Sequence, residues 1–174
     1  MTMEKLSQRI NQFSNKSDAR NLYLVLEKVY KRLGNIGLQS ANLTRATTTS
    51  KIKSQADYYA FVGGILVKKA TTDNLITLTT ASNCTHAKFN VTVFTINSSG
   101  TITNRAGTEG ASLAAMTWPT LPTDEAVFGI LIINPTGTGN FVGGTTDLAD
   151  ATVAPNAVYL NPLSAFSTSA VANL

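Results

Sequence analysis

The most continuous apolar run in the chain is Val127, Phe128, Ile130, Leu131, Ile132 and Ile133, inside the stretch EAVFGILIINP at 125–135. It is rich in β-branched residues, too short for a membrane span, and closed by Asn134 and Pro135, which predicts a strand buried on both faces. Such a strand needs neighbours. AKFNVTVFTIN (87–97) alternates, with Phe89, Val91 and Val93 on one side and Phe94 and Ile96 on the other; with SSG and TITNRAG it predicts a hairpin turning at Gly100. DYYAFV and ILVKKA flank Gly63 and Gly64, a two-residue connection suited to a tight hairpin. LITLT (75–79), NFVGG (140–144) and VYLNP (158–162) add three further short strands, the last as an edge. Between 111 and 123 Pro119 and Pro122 argue for a crossover without regular pairing. Many short strands separated by Gly, Pro, Asn and Ser turns predict a mainly β body, an antiparallel β-sandwich or barrel.

The period changes ahead of the body. Met3, Leu6, Ile10 and Phe13 recur at spacings of three and four, and after the polar break SNKS the spacing resumes with Ala19, Leu22, Leu26, Val29 and Leu33 up to Gly34. Ser17 suits an N-cap, Asp18 the first turn, and Gly34 a C-terminal stop. Tyr23, Leu24, Val25 and Tyr30 make this helix apolar around more than half its circumference, so it must pack against something. Either it folds onto its own body or first helix, or it forms a seam between copies, with Ala19, Leu26 and Leu33 at one heptad position and Leu22, Val29 and Ile36 at the other. Residues 35–56 are polar, rich in Ser and Thr and without a steady period. They read as a solvated linker or as an extended arm whose Arg45, Lys51 and Lys53 would lie on an acidic surface of another subunit. The expected organisation is therefore a helical anchor at 1–34, an arm at 35–56 and a β-sandwich body at 57–174.

Charge sharpens that division. The net charge of the 174-residue chain is +4. Residues 1–53 hold ten basic residues against three acidic, a net +7, and the remainder four against seven, a net −3. A basic arm on a weakly acidic body expects different partners for its two parts. One cysteine, Cys84, excludes an intramolecular disulfide, and with no leader-like pattern a reducing compartment is expected. No run approaches the roughly 18 to 20 apolar residues of a spanning helix, so no membrane association is expected.

Candidate chemistry is sparse. His86 is the only histidine and stands two residues from Cys84, too few ligands for a structural zinc site and without a partner constellation for a nucleophilic triad. GTGNFVGG (137–144) lacks the Gly-Lys-Ser/Thr ending of a phosphate loop and the third glycine of a dinucleotide fingerprint, and reads as a turn. Asp124 and Glu125 are chain neighbours, which an extended backbone points to opposite faces. No enzyme, cofactor or metal is expected. The basic arm has few aromatics placed for stacking, which argues against nucleic acid as its partner.

KATTDNLITLT (69–79), FTINSSGTIT (94–103), LPTDEAVFGILII (121–133, with Gly129 inside the buried strand) and FVGGTTDL (141–148) together resemble a module of structural proteins of tailed bacteriophages. The resemblance covers about residues 58–150 and rests on turn and core positions. Leu66 and Val67 stand where that pattern often has an aromatic before the lysine-alanine turn. The resemblance implies a capsid decoration (cement) protein or head fibre, commonly a homotrimer, assembled in the host cytoplasm into the virion and held to the major capsid protein or other virion proteins by its N-terminal segment. Leu22, Leu26, Val29, Leu33, Arg45, Lys51 and Lys53 are the expected contact residues. The alternative is a receptor- or carbohydrate-binding module of a tail or head fibre, which would use Tyr58, Tyr59 or Trp118.

Overall fold

The computed structural model describes Arg20, Leu24, residues 34–150, Val153 and residues 157–162. The helix stripe Leu22, Leu26, Val29 and Leu33 lies outside the described residues, although Arg20 and Leu24 are helical. The rest is ten strands: β1 (Ile36–Gln39), β2 (Leu43–Arg45), β3 (Lys51–Ser54), β4 (Tyr58–Val62), β5 (Ile65–Lys69), β6 (Ile76–Thr77), β7 (Asn90–Ile96), β8 (Ile102–Ala106), β9 (Ala126–Ile133) and β10 (Val158–Leu160). They form three antiparallel sheets, ordered β1-β4-β5, β10-β9-β7-β8 and β2-β3-β6, a mainly β, sandwich-like arrangement with a 3-10 turn at Thr80–Ser82.

The predicted central strand is β9. It pairs with β7 on one side and β10 on the other, and only Ile132 among its eight residues is not buried. Its apolar residues divide between two cores. Ala126, Phe128, Leu131 and Ile133 join Phe94 and Ile96 of β7 in the larger cluster, while Val127 and Ile130 join Val91 and Val93 in the smaller, as the alternation of β7 predicts. The larger core draws on all three sheets, with Leu43, Ile52 and Ile76 from the β2-β3-β6 sheet and Tyr58, Ala60, Val62 and Val67 from β4 and β5. The smaller core is closed by the irregular 107–121 crossover, through Met116, Trp118 and Leu121. The register between β7 and β9 shifts by one residue, from Phe94 opposite Gly129 to Thr95 opposite Val127, so Phe128 is the extra residue of a bulge. There the Tyr58 hydroxyl donates to the Val127 carbonyl at 2.8 Å, and the Tyr58 and Phe128 ring centroids lie 4.6 Å apart.

Both predicted hairpins form. Gly63 and Gly64 take φ of +59° and +83°, the left-handed values a two-residue turn demands, and Gly100 takes +77°. Four expectations differ. Residues 35–56 are not an arm: β1, β2 and β3 lie in the sheets, and Ala41, Leu43, Ile52 and Ser54 are buried. Ile36, placed at a heptad position by spacing, begins β1 opposite Phe61. NFVGG is not a strand: only Phe141 pairs, in a bridge to Cys84, because the chain then turns, with the Val142 carbonyl accepting the Thr145 and Thr146 N–H. LITLT shrinks to the two residues of β6, while VYL forms the edge strand β10 as expected.

Candidate functional site

The three basic contact candidates do not lie on a free arm. Arg45 ends β2 and its guanidinium sits 3.2 Å from Asp147, inside the same body. The Ala149 backbone N–H, which donates to Asp147 at 2.8 Å, and then Arg45 hold the Asp147 carboxyl below its ordinary value. Lys51 and Lys53 are half-buried and alternate with the buried Ile52 on β3, opposite Thr77 and Thr44. Their spacing, read as a strip of charge on an extended arm, is the outward parity of a pleated strand whose inward residue belongs to the core. Leu22, Leu26, Val29 and Leu33 lie outside the described residues.

Other charges of the body are likewise paired internally. Lys68 contacts Asp57 at 2.8 Å, Lys88 contacts Glu109 at 2.7 Å, and Arg105 grips both carboxylate oxygens of Glu125 at 2.8 Å beside Thr95. Lys68 chiefly, then the Thr71 N–H, holds the Asp57 carboxyl at about 2; Lys88 and then the Thr85 N–H do the same for Glu109, also about 2. A carboxyl whose folded value is depressed stabilises the fold above its unfolded value, near 4, and loses that contribution as pH falls toward the folded value. The melting temperature is therefore expected to stay level from pH 7 to about 5 and fall between about 4.5 and 2. Glu109→Gln should lower it slightly at pH 7 and make the acid limb shallower, the effect being small because the pair is exposed. Identical acid limbs for the two proteins, followed by circular dichroism, would contradict this.

The aromatics proposed for a receptor site are already engaged. Tyr58 is fully buried, Tyr59 is half-buried with the Lys68 ammonium 5.5 Å above its ring, and Trp118 packs on the smaller core. Cys84 is buried with its Sγ 3.3 Å from the Lys88 carbonyl oxygen, and burial pushes its thiol up to about 12. The backbone N–H of His86 donates to Asn140 at 2.8 Å. Among the described residues no group of three or more His, Cys, Asp or Glu is placed to hold a metal ion, and no helix is long and apolar enough to cross a membrane.

The feature that sequence reasoning missed is an apolar surface. On the β1-β4-β5 sheet, Tyr58, Ala60, Val62 and Val67 point into the core, and the opposite parity sets Ile36, Phe61 and Leu66 side by side across three strands. Phe61 is 41% exposed, Leu66 57% and Leu38 50%. The sheet is thus apolar on both faces: one packs into the larger core, and on the other Phe61 and Leu66 stay exposed. The signal was present in DYYAFVGGILVKK, where apolar residues occupy both parities, but that pattern reads equally well as a strand buried on both sides.

This face lies where the N-terminal segment joins the body. The Asn35 side chain bridges two elements there: its Oδ1 accepts the Gly63 N–H at 2.8 Å, and its Nδ2 donates to the Thr123 carbonyl. On the core-facing side of β1, Pro162, past β10, comes close, since a Cβ on Gly37 would lie 3.3 Å from its carbonyl oxygen and 3.2 Å from the Tyr58 hydroxyl. No protein-family model, curated protein or solved structure matches the chain.

Proposed function

We propose that this chain is a non-enzymatic structural protein of a bacteriophage virion, of the capsid-decoration type, and that it acts as a homotrimer docked on the major capsid protein by residues 1–33. The observation that supports this reading is where the charge lies once β1, β2 and β3 are counted with the body. Residues 34–174 hold seven basic and seven acidic residues and are neutral, so the whole net charge of +4 belongs to residues 1–33. A balanced body whose ions are largely paired at home offers little long-range attraction. A cationic segment with a continuous apolar stripe is drawn to acidic protein surfaces and held there by burial. The contact set contracts accordingly: Leu22, Leu26, Val29 and Leu33 remain in it, Arg45 leaves it, and Lys51 and Lys53 belong to the outward face of β3.

The test removes residues 1–33 and leaves β1 intact. The truncated body should keep its β-type circular dichroism and cooperative melt while losing binding to capsids stripped of this protein. Undiminished capsid binding by the truncated body would overturn the reading. In the full chain, exchanging Lys28, Lys31 and Arg32 for glutamate should weaken binding at low ionic strength far more than at high, because the Debye length shrinks from about 10 Å at 0.1 M to about 3 Å at 1 M.

A further inference from the structure

We propose that the cleft between β6 and β8 is a docking site for an extended acidic segment of a partner protein, which lies along the β6 edge and reaches Lys51 and Lys53 with alternate glutamates. β6 ends the β2-β3-β6 sheet and β8 ends the four-stranded sheet. The two edges face one open cleft of about 370 Å³, walled by Ile76 and Thr77 on one side and by Ile102, Thr103 and Asn104 on the other. Ile76 and Ile102 belong to or pack on the larger core, so the cleft has an apolar floor under a polar rim. A side chain crosses it: the Asn104 Nδ2 donates to the Thr77 carbonyl at 2.8 Å. The N–H and C=O of one strand residue lie on the same edge, so the Thr77 N–H faces the cleft as well. An open edge of this kind is the template for strand addition by an extended peptide.

Charge selects the occupant. Lys51 stands opposite Thr77 in the β3-β6 register, and Lys53 follows with the same parity, about 7 Å along the strand. Among the cations of residues 34–150, Arg45, Lys68, Lys88 and Arg105 each contact a carboxylate, and Lys69 donates to the Gly100 carbonyl. Lys51 and Lys53 form no ion pair among the described residues. Asp73 is held below its ordinary value chiefly by Thr47, whose N–H donates to it at 3.1 Å, and least by Lys53. Because β3 is the central strand of its sheet, these lysines do not guard an edge. Two ammonium groups repeating every second residue match the side-chain period of an extended chain with carboxylates at alternate positions. A strand added to β6 lies two strand spacings from β3, about 10 Å, a gap that lysine and glutamate side chains close together and that aspartate is too short to close.

The test uses the full chain and a fluorescein-labelled peptide of alternating glutamate and threonine, with an alternating glutamine-threonine peptide and a short oligothymidylate as comparisons. Fluorescence anisotropy at low salt should show binding of the glutamate peptide alone. Lys51→Gln combined with Lys53→Gln should raise its dissociation constant about tenfold. Asn104→Trp, which fills the cleft without changing charge, should weaken it to a similar extent while the protein keeps a cooperative melt. Hydrogen exchange of the unsubstituted chain, followed by mass spectrometry, should show peptide-dependent protection over residues 75–79 and 102–106. Protection confined to residues 51–53, or binding undiminished by Asn104→Trp, would overturn the inference, because the peptide would then sit on the lysines and not in the cleft. Equal affinity for the oligothymidylate would do the same by marking an unselective polyanion surface, as would no binding of the glutamate peptide. None of these results bears on residues 1–33, whose attachment to capsids is tested by their removal.

Discussion

Phe128→Ala is expected to lower the free energy of unfolding by about 3 to 5 kcal/mol, the range for deleting a large aromatic from a packed core. Phe128 is fully buried, and its ring leans on Tyr58 at a centroid separation of 4.6 Å and an interplanar angle of 57°. As the extra residue of the β9 bulge it lies where the four-stranded sheet meets the sheet that carries β4. The cavity cannot close by a simple side-chain shift, because Tyr58 is tethered through its hydroxyl to the Val127 carbonyl, one residue from the lost ring. The loss should therefore fall toward the upper end of the range, where neighbours fail to collapse. Urea unfolding followed by tryptophan fluorescence measures it, with Tyr58→Phe as a companion. That substitution removes only the hydroxyl and should cost about 1 to 3 kcal/mol by leaving a buried carbonyl unpaired. A Phe128→Ala cost below that of Tyr58→Phe would show that the bulge is not the joint between the sheets.

Gly129→Ala is expected to cost about 1 to 3 kcal/mol, the penalty of overpacking a filled core, even though alanine is otherwise tolerated in strands. Gly129 follows the bulge, and a Cβ there would stand 2.2 Å from the Leu43 Cδ1. Leu43 is buried on β2, and its backbone N–H donates to the Asn161 side chain at 3.0 Å, so it cannot retreat freely. The prediction is specific because it names the obstacle. Leu43→Ala alone should cost about 2 to 5 kcal/mol, whereas the double variant should cost less than the two singles together by about 1 kcal/mol, since each change relieves the other. Strict additivity in a double-mutant cycle would remove Leu43 as the reason for glycine at this position.

The legible parts of this protein were those whose information is local. The two-glycine turn at 63–64, the Gly100 turn, the alternation of β7 into two cores and the doubly buried β9 all follow from residues within ten positions of one another. Residues 35–56 read as an arm because β2 and β3 each contribute a single large inward residue, Leu43 and Ile52, while the other buried positions, Gly37, Ala41, Ala46 and Ser54, are small. One apolar residue among threonines and lysines has no period to detect, and its burial depends on partners far along the chain. Arg45 shows the same limit: its partner Asp147 is 102 residues away, so a cation that looked available is paired.

The sequence by itself determined the mainly β class, the hairpins, the central strand and the absence of a disulfide within the chain, because turn conformation, side-chain parity and cysteine number are properties of neighbouring residues or of composition. Only the tertiary structure decided that β1, β2 and β3 join the sheets, how Phe128 bulges beside Gly129, and which apolar residues of the β1-β4-β5 sheet stay exposed. Those outcomes depend on which surfaces the sheets bury against one another. Tyr58 and Phe61 are near neighbours on β4, yet one is sealed in the core and the other is 41% exposed, because opposite parities point them to opposite faces of the sheet.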